Sequence, residues 1–220
     1  MAYSQVAVDQ AKLEIFGNPF SVSNQNFMRI LDGDPSNAAD NMLFEFDDWS
    51  SAEVVPRDGA SLTVDSVNYH RKLGSMFFLK EEKLYFLYPD KIESIVIQGR
   101  TFIPAKLDPD KPRDYKYCEL LSGGRLNLLK HTDIKERKKS DHPMGISHTR
   151  GSIETYTKDH YYFARASVER AMLLPKNKKK LIGIFTKDRN RMVQYARDNN
   201  ISMKSETDLI NMFDYYNQID

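Results

Sequence analysis

The sequence lacks two features that characterise many functional classes of protein: it has a single cysteine, and neither positive nor negative charge is in excess. The lone Cys118 excludes an intramolecular disulfide and any zinc site built from several cysteines. The 32 Lys and Arg residues nearly balance the 31 Asp and Glu residues, so the formal net charge is +1. Such a chain has no global field that attracts nucleic acid or an anionic membrane, and either role would need a local patch.

Long apolar runs are also missing. None approaches the roughly 20 residues that span a bilayer, and residues 1–10 lack the basic and apolar regions of a signal peptide. The sequence therefore predicts no transmembrane segment. We expect a periplasmic or outer-envelope protein if an export signal was removed, and a cytoplasmic protein otherwise.

Short apolar runs separated by turn residues fill the stretch from Trp49 to His131. Runs this short and evenly spaced favour an antiparallel meander, folded as a roll, half-barrel or sandwich, over a parallel sheet. Glycine, proline and the Asp or Asn side chain provide the backbone angles that tight turns need. The turns are predicted at Arg57-Asp58-Gly59, Lys80-Glu81-Glu82, Pro89-Asp90, Gln98-Gly99 and Gly123-Gly124.

The pattern changes to helical spacing after Pro175, and Ser205 is a predicted helix N-cap with an acidic residue three positions on. The sequence thus predicts one α+β domain over residues 1–220. It comprises an N-terminal lead-in (1–41), an antiparallel β region (42–174) and a helical cap (175–220) of two or three helices. Within the β region, 133–150 is predicted to be a mobile insertion, and 153–165 a hairpin that turns at Lys158-Asp159.

No residue pattern in the sequence predicts a reaction. There is no G-x-S-x-G elbow and no glycine-rich phosphate loop. His142 and His148 share a loop with Asp141, where a metal site is conceivable, but no regular spacing fixes them. His70 and His131 are interpreted as solvated residues at strand ends. We therefore expect a protein that is not an enzyme and needs no cofactor or metal.

Aromatic and aliphatic residues in the middle strands suggest two uses. A half-barrel lined by Phe77, Phe86, Tyr88, Ile95 and Phe102 would hold an apolar ligand such as an acyl chain, or would be a filled core. The first functional hypothesis is accordingly a non-enzymatic binding or structural protein that acts through protein–protein or apolar-ligand contacts. The sequence does not identify the partner, and it leaves the oligomeric state open.

A basic patch supports an alternative hypothesis, the binding of nucleic acid or anionic lipid. Basic side chains interleaved with aromatic ones suit a phosphate-bearing partner, but the nearly neutral chain favours a solvated face, so nucleic acid is the less favoured partner. The patch would comprise Arg165, Arg170, Lys176, Lys178, Lys179 and Lys180, beside Tyr161 and Tyr162, together with the tract Lys135–Lys139.

The order of several short motifs resembles a family of exported Bacteroidota proteins that has no settled function. The likeness covers about residues 40–220, and it implies an envelope or periplasmic location without bringing any active-site residue. The matching features are Trp49, Asp58-Gly59, Val67-Asn68-Tyr69, the run from Pro89 to Ile95, Phe102, Leu120 to Leu126, Lys178 to Leu181, and Tyr216-Asn217.

Overall fold

The structure is a computed structural model that describes residues 43–57, 60–80, 83–108, 110–111, 115–138, 153–166 and 170–219. Within these residues, ten antiparallel strands form one open sheet in the order β10-β9-β8-β7-β6-β5-β1-β2-β3-β4, and three helices follow. The predicted α+β fold, an antiparallel meander with a C-terminal helical cap, is confirmed. The strands are β1 (Ser50–Pro56), β2 (Leu62–His70), β3 (Ser75–Lys80), β4 (Lys83–Phe86), β5 (Ile92–Ile97), β6 (Arg100–Lys106), β7 (Tyr115–Ser122), β8 (Leu126–Lys138), β9 (Ile153–Arg165) and β10 (Met172–Leu173).

The tightest predicted turn is the one between β5 and β6. Gln98 and Gly99 both have positive φ, 48° and 75°, and the flanking residues Ile97 and Arg100 are paired. Two consecutive residues with positive φ match the right-handed twist of the strands that they join. The predicted hairpin at Gln98-Gly99 is therefore confirmed.

One row of side chains crosses five neighbouring strands and changes from apolar to charged on the way. The register pairs Val54 with Ile95, Ile95 with Phe102, Phe102 with Glu119 and Glu119 with Lys130. Directly opposed residues point to the same face of a sheet, so all five lie on one face.

This face carries the two larger hydrophobic clusters, one on each side of the charged positions. Burial of so much apolar surface is the main driving force for folding. The first cluster lies against β1 to β7 and comprises Phe46, Ala52, Val54, Leu62, Val64, Val67, Tyr69, Met76, Phe78, Leu87, Ile92, Ile95, Ile97, Phe102 and Tyr117. The second lies between β8, β9 and the helices and comprises Leu126, Leu128, Phe163, Leu174, Leu181, Ile182, Phe185, Met192, Ala196, Ile201, Leu209, Met212, Phe213 and Tyr216.

The helical cap consists of α1 (Lys178–Ile182), α2 (Arg189–Asp198) and α3 (Glu206–Gln218). The hydroxyl of Ser205 accepts the Asp208 backbone N–H at 3.1 Å, which confirms the predicted N-cap. None of the helices in the described chain has both the length and the apolar character that a membrane crossing requires.

Asn217 attaches α3 to the edge of the β7–β8 turn. Its side-chain oxygen accepts the Leu126 N–H and its amide donates to the Leu126 carbonyl, both at 3.0 Å. A Cβ on Gly124 would lie 2.6 Å from the Asn217 side chain, so only glycine permits this close approach. The Arg125 guanidinium covers the Tyr216 ring at 4.6 Å from its centroid.

β8 and β9 form a ribbon that extends beyond the rest of the sheet. They pair in one unbroken register from Leu126–Arg165 to Lys138–Ile153. β7 pairs with β8 only as far as Lys130, so from His131 onwards β9 is the one described strand beside β8. We call residues 131–138 and 153–160 the ribbon arm.

Two sequence predictions for this region are wrong. The expected turn at Lys158-Asp159 lies within continuous β9, where these residues pair with Asp133 and Thr132 of β8. The expected mobile insertion begins inside β8, which continues to Lys138, while residues 139–150 lie outside the described chain. None of the hydrophobic clusters of the described residues includes a residue of the ribbon arm. A ribbon outside such a cluster needs no apolar alternation, so its strands resemble loops in composition.

A charged network fills the gap between the two clusters. The Arg100 guanidinium donates to both carboxylate oxygens of Glu119, at 2.8 and 2.7 Å, and to Glu45 at 2.7 Å. Lys130 lies 3.1 Å from Glu119 and 3.1 Å from Glu206, in the first turn of α3. Opposite charges held this closely in a half-buried position stabilise one arrangement of sheet and helix.

We predict that Glu119→Ala lowers the free energy of unfolding by about 2 kcal/mol, because it leaves the half-buried Arg100 and Lys130 without their shared carboxylate. Urea titration followed by circular dichroism measures this loss. The control is Lys111→Ala, which removes an ion pair at 4.0 Å whose lysine is 67% exposed; its loss should stay below about 0.5 kcal/mol. Equal losses in the two variants would contradict the role of the network.

Candidate functional site

The structure divides the five residues of the predicted apolar lining between the two faces of the sheet. Ile95 and Phe102 lie in the first cluster and are 0% and 1% exposed. Phe77 and Phe86 are directly paired on the opposite face, and Tyr88 lies beside Phe86. The five residues therefore do not form one lining, and the first two belong to a filled core.

The three residues on the opposite face belong to a larger aromatic surface. Ring centroids are 5.1 Å apart for Trp49 and Phe44, 6.5 Å for Phe44 and Phe77, 6.3 Å for Phe77 and Phe86, and 4.9 Å for Phe86 and Tyr88. These are separations at which aromatic pairs attract each other. The rings form a continuous row, and Trp49, Phe86 and Tyr88 are only half-buried.

A bulge in β2 places polar side chains beneath this aromatic surface. Ser66 has a φ of +53°, and the pairing between β1 and β2 shifts there. After the bulge, Asn68 and His70 point to the aromatic side, and both are buried. The interpretation of His70 as a solvated residue is therefore wrong, because the shifted alternation turns it towards Phe44 and Phe77.

Asn68 fixes the segment that carries Phe44. Its side-chain oxygen accepts the Phe46 N–H at 3.2 Å, and its amide donates to the Phe46 carbonyl at 2.8 Å. Phe44 forms an isolated bridge with His70. These bonds hold the segment against β2, so the aromatic row is built on a fixed backbone. Sequence reasoning missed the role of Asn68, because no residue pattern in the sequence predicts the bulge at Ser66.

The aromatic surface ends at an open strand edge. β4 is the last strand of the sheet and pairs with β3 alone among the described strands. The Leu87 N–H donates to the Met76 carbonyl of β3 at 2.9 Å. Backbone groups alternate in direction along a strand, so the N–H groups of Leu84 and Phe86 point to the open edge.

The predicted basic residues come from three segments: the end of β9, the link to β10, and α1 with its lead-in. Lys178 donates to the carbonyls of Ala196 and Ile201, both at 3.1 Å, and thereby joins α1 to the end of α2. Arg170 is bridged to Lys106. All six predicted residues are exposed: Arg165, Arg170, Lys176, Lys178, Lys179 and Lys180.

The sheet also has an open groove of about 410 Å³ on the face away from the helices. Small side chains form a third cluster along this face, with Ala105, Cys118 and Ala164 buried in it. None of the five predicted lining residues borders the groove. Its lining comprises Arg57, Glu93, Ile103, Pro104, Ala105, Leu120, Asn127, Leu129, Ala164 and Ala166.

Two side chains with reactive groups, Cys118 and Glu119, are shielded or paired. Burial raises the pKa of the Cys118 thiol, which keeps it protonated. Burial alone would raise the pKa of Glu119, but Arg100 and Lys130 hold it below its usual value. No described group of three His, Cys, Asp or Glu side chains converges as metal ligands would. His142 and His148 lie outside the described residues.

No protein-family model, curated protein or solved structure matches this chain. A function must therefore be argued from the chemistry of the surfaces themselves, since a fold alone does not define one. The aromatic surface beside β4 combines apolar rings with open backbone hydrogen-bonding groups. Partner recognition can use both.

His131 is a buried histidine of β8. It is 8% exposed and its Nδ1 lies 3.0 Å from the Tyr69 hydroxyl, which donates to the Tyr117 carbonyl at 2.9 Å. Burial lowers its pKa to about 4; the Asp133 carboxylate opposes this shift, and the Lys116 ammonium adds to it. The interpretation of His131 as solvated is wrong, because it is enclosed where the ribbon arm leaves the sheet.

We predict that His131 weakens the fold under mild acid. Between about pH 6.5 and 4 the unfolded chain binds a proton at this site that the folded chain does not, so stability falls as the pH falls. Urea titrations at pH 7.5 and 4.5 measure the free energy of unfolding at each pH. Between the two pH values this free energy should fall by about 2 kcal/mol less in His131→Gln than in the wild type. The control is His160→Gln, at a less buried histidine, in which the free energy of unfolding should fall with pH nearly as much as in the wild type. If the free energy of unfolding of His131→Gln falls as much as that of the wild type, His131 is not the group responsible.

Proposed function

We propose that this protein is a non-enzymatic binding protein that receives an extended segment of a partner protein along the open edge of β4. The observation that carries the proposal is the row of aromatic rings from Trp49 to Tyr88, which ends beside backbone groups of β4 that pair with no described strand. Strand addition draws affinity from main-chain hydrogen bonds and specificity from alternate side chains. Both elements are present at this edge.

The backbone supplies the first element. Leu84 and Phe86 direct their N–H groups away from β3, where an added strand would accept them. A strand edge that no other strand covers is a template for pairing with another chain, and no described strand covers the outer edge of β4. We expect the partner segment to run beside β4 and extend the sheet by one strand.

The rings supply the second element. Phe86 and Tyr88 are half-buried on one face, and the buried Phe77 supports Phe86 from below. Half-buried aromatic residues on a fixed backbone give large contact areas at low entropic cost, and they dominate many protein interfaces. The partner segment is therefore expected to present apolar side chains at alternate positions.

Two further features agree with a binding role without chemistry. Cys118 is enclosed and protonated, so it is a poor nucleophile. The alternative hypothesis of a basic-patch binder has less support, because Lys178 is engaged with Ala196 and Ile201.

The resemblance to exported Bacteroidota proteins supports a role in the cell envelope, which fractionation of the source cells tests directly.

A displayed library of random peptides tests the proposal, with the full-length chain as the immobilised target. We expect the selected peptides to carry alternating apolar residues and to bind at least tenfold more weakly to Leu84→Pro. This substitution removes an N–H that β3 does not use, and one such hydrogen bond contributes about 1 kcal/mol or slightly more. Tyr88→Ala should also weaken binding, through loss of ring contact. Fluorescence polarisation of labelled peptides measures both effects.

The matched control is Thr157→Pro, which places the same residue on a strand at the other side of the sheet. It should leave peptide affinity unchanged. Thermal unfolding verifies that each variant remains folded. Peptides that bind Leu84→Pro and the wild type equally would contradict recognition at β4, as would a selection that enriches no peptide.

A further inference from the structure

The ribbon arm has an outer strand edge that no described strand covers. β10 pairs with β9 only at Tyr162 and Phe163, which leaves residues 153–160 uncovered. The geometry points to a second copy of this chain as the partner: the β9 strands of two copies pair antiparallel about a two-fold axis and join the two sheets. This surface is separate from the β4 edge, and the inference does not depend on the function proposed there.

The backbone of β9 is oriented for this pairing. The Leu174 N–H donates to the Tyr161 carbonyl at 2.8 Å, so Tyr161 directs its backbone groups to the outer edge. Alternation then directs those of Thr155, Thr157 and Asp159 the same way. A two-stranded ribbon is at best marginally stable in water, and further strands stabilise it. Pairing at β9 would turn two ribbons into one four-stranded sheet.

The opposite edge of the ribbon arm is less suited to a new strand. The Asp133 carboxylate accepts the Ile134 N–H at 2.8 Å, which occupies a donor that an added strand would need. Blocking one edge with a charged side chain is a common protection against unwanted pairing. The two edges thus differ, and the β9 edge is the one at which no described group occupies the outward backbone donors.

One large apolar side chain is exposed on the ribbon arm, the ring of Tyr156 at 40% exposure. Met172 and Leu173 are also exposed, but they pair with Phe163 and Tyr162 at the other end of β9 and lie outside the ribbon arm. Tyrosine is enriched at the core of protein interfaces, so the exposed Tyr156 ring suits a contact with another protein.

The charges of the ribbon arm favour a protein over a polyanion. Residues 131–138 and 153–160 include four basic and four acidic residues, so their formal charge is zero. Binding to nucleic acid would need an excess of cations along the ribbon. Interspersed charges instead suit a partner that carries the same mixture, as a second copy does.

The sequence of β9 is complementary to itself in one register. Pairing centred on Tyr156 places Thr155 opposite Thr157 of the second copy and Glu154 opposite Lys158 of the second copy. Two-fold symmetry repeats each contact, and Tyr156 meets its own counterpart at the centre. Opposite charges and aromatic rings are favourable cross-strand neighbours.

Sedimentation equilibrium of the full-length chain tests the proposal over about 1 to 500 μM, a range suited to a small interface. We expect the wild type to approach twice the monomer mass and Thr157→Pro to remain monomeric. Lys158→Glu and Glu154→Lys should each weaken association at least tenfold. The combined exchange should restore it to within about threefold of the wild type, because it re-forms the opposite-charge pairs.

Glu136→Pro is the matched control, since it places proline on the β8 edge of the same ribbon; it should dimerise like the wild type. Thermal unfolding verifies the fold of each variant. A wild type that stays monomeric throughout would overturn the proposal. So would a dimer that survives Thr157→Pro, or a charge exchange that restores nothing.

Discussion

The pair between Arg100 and Glu119 is the interaction on which the rest of the structure depends. It lies on the buried face of the sheet, where the first cluster ends and the second begins. The Arg100 guanidinium covers the Phe46 and Phe102 rings at 5.3 Å, so its apolar surface continues the first cluster while its donors face the charges. The network therefore joins two hydrophobic clusters that apolar side chains alone would leave separate.

The same network sets the position of the helical cap. Lys130 binds Glu206 in the first turn of α3, and Tyr161 donates to Glu206 at 2.9 Å. A carboxylate at that position also favours the helix through its dipole. With Asn217 holding the other end of α3 to Leu126, the helix is fixed at both ends on one face of the sheet. Among the described strands, none covers the outer edge of β4 or the outer edge of β9 along the ribbon arm.

The antiparallel character of the sheet and the helical cap were predictable from sequence because both depend on local signals; the strand order, in which β1 pairs with β5, was not predicted. The Gln98-Gly99 turn and the Ser205 N-cap are each set by a few neighbouring residues. The buried histidines were not predictable, since His70 changes face only after the bulge at Ser66 and His131 is enclosed by residues distant in sequence. Sequence reasoning placed Phe77, Phe86 and Tyr88 in one lining with Ile95 and Phe102. The separation of the two groups onto opposite faces depends on strand register, which composition does not reveal.

The two sides of the sheet differ in chemistry, and this difference argues for different partners. β4 has four residues and borders half-buried aromatic rings, so it offers a short and mainly apolar contact. The uncovered part of β9 is longer and carries charges of both signs around Tyr156. An apolar contact tolerates many extended sequences, whereas alternating charges pair well in few registers. The two proposed contacts therefore lie on opposite sides of the sheet, and neither would compete with the other.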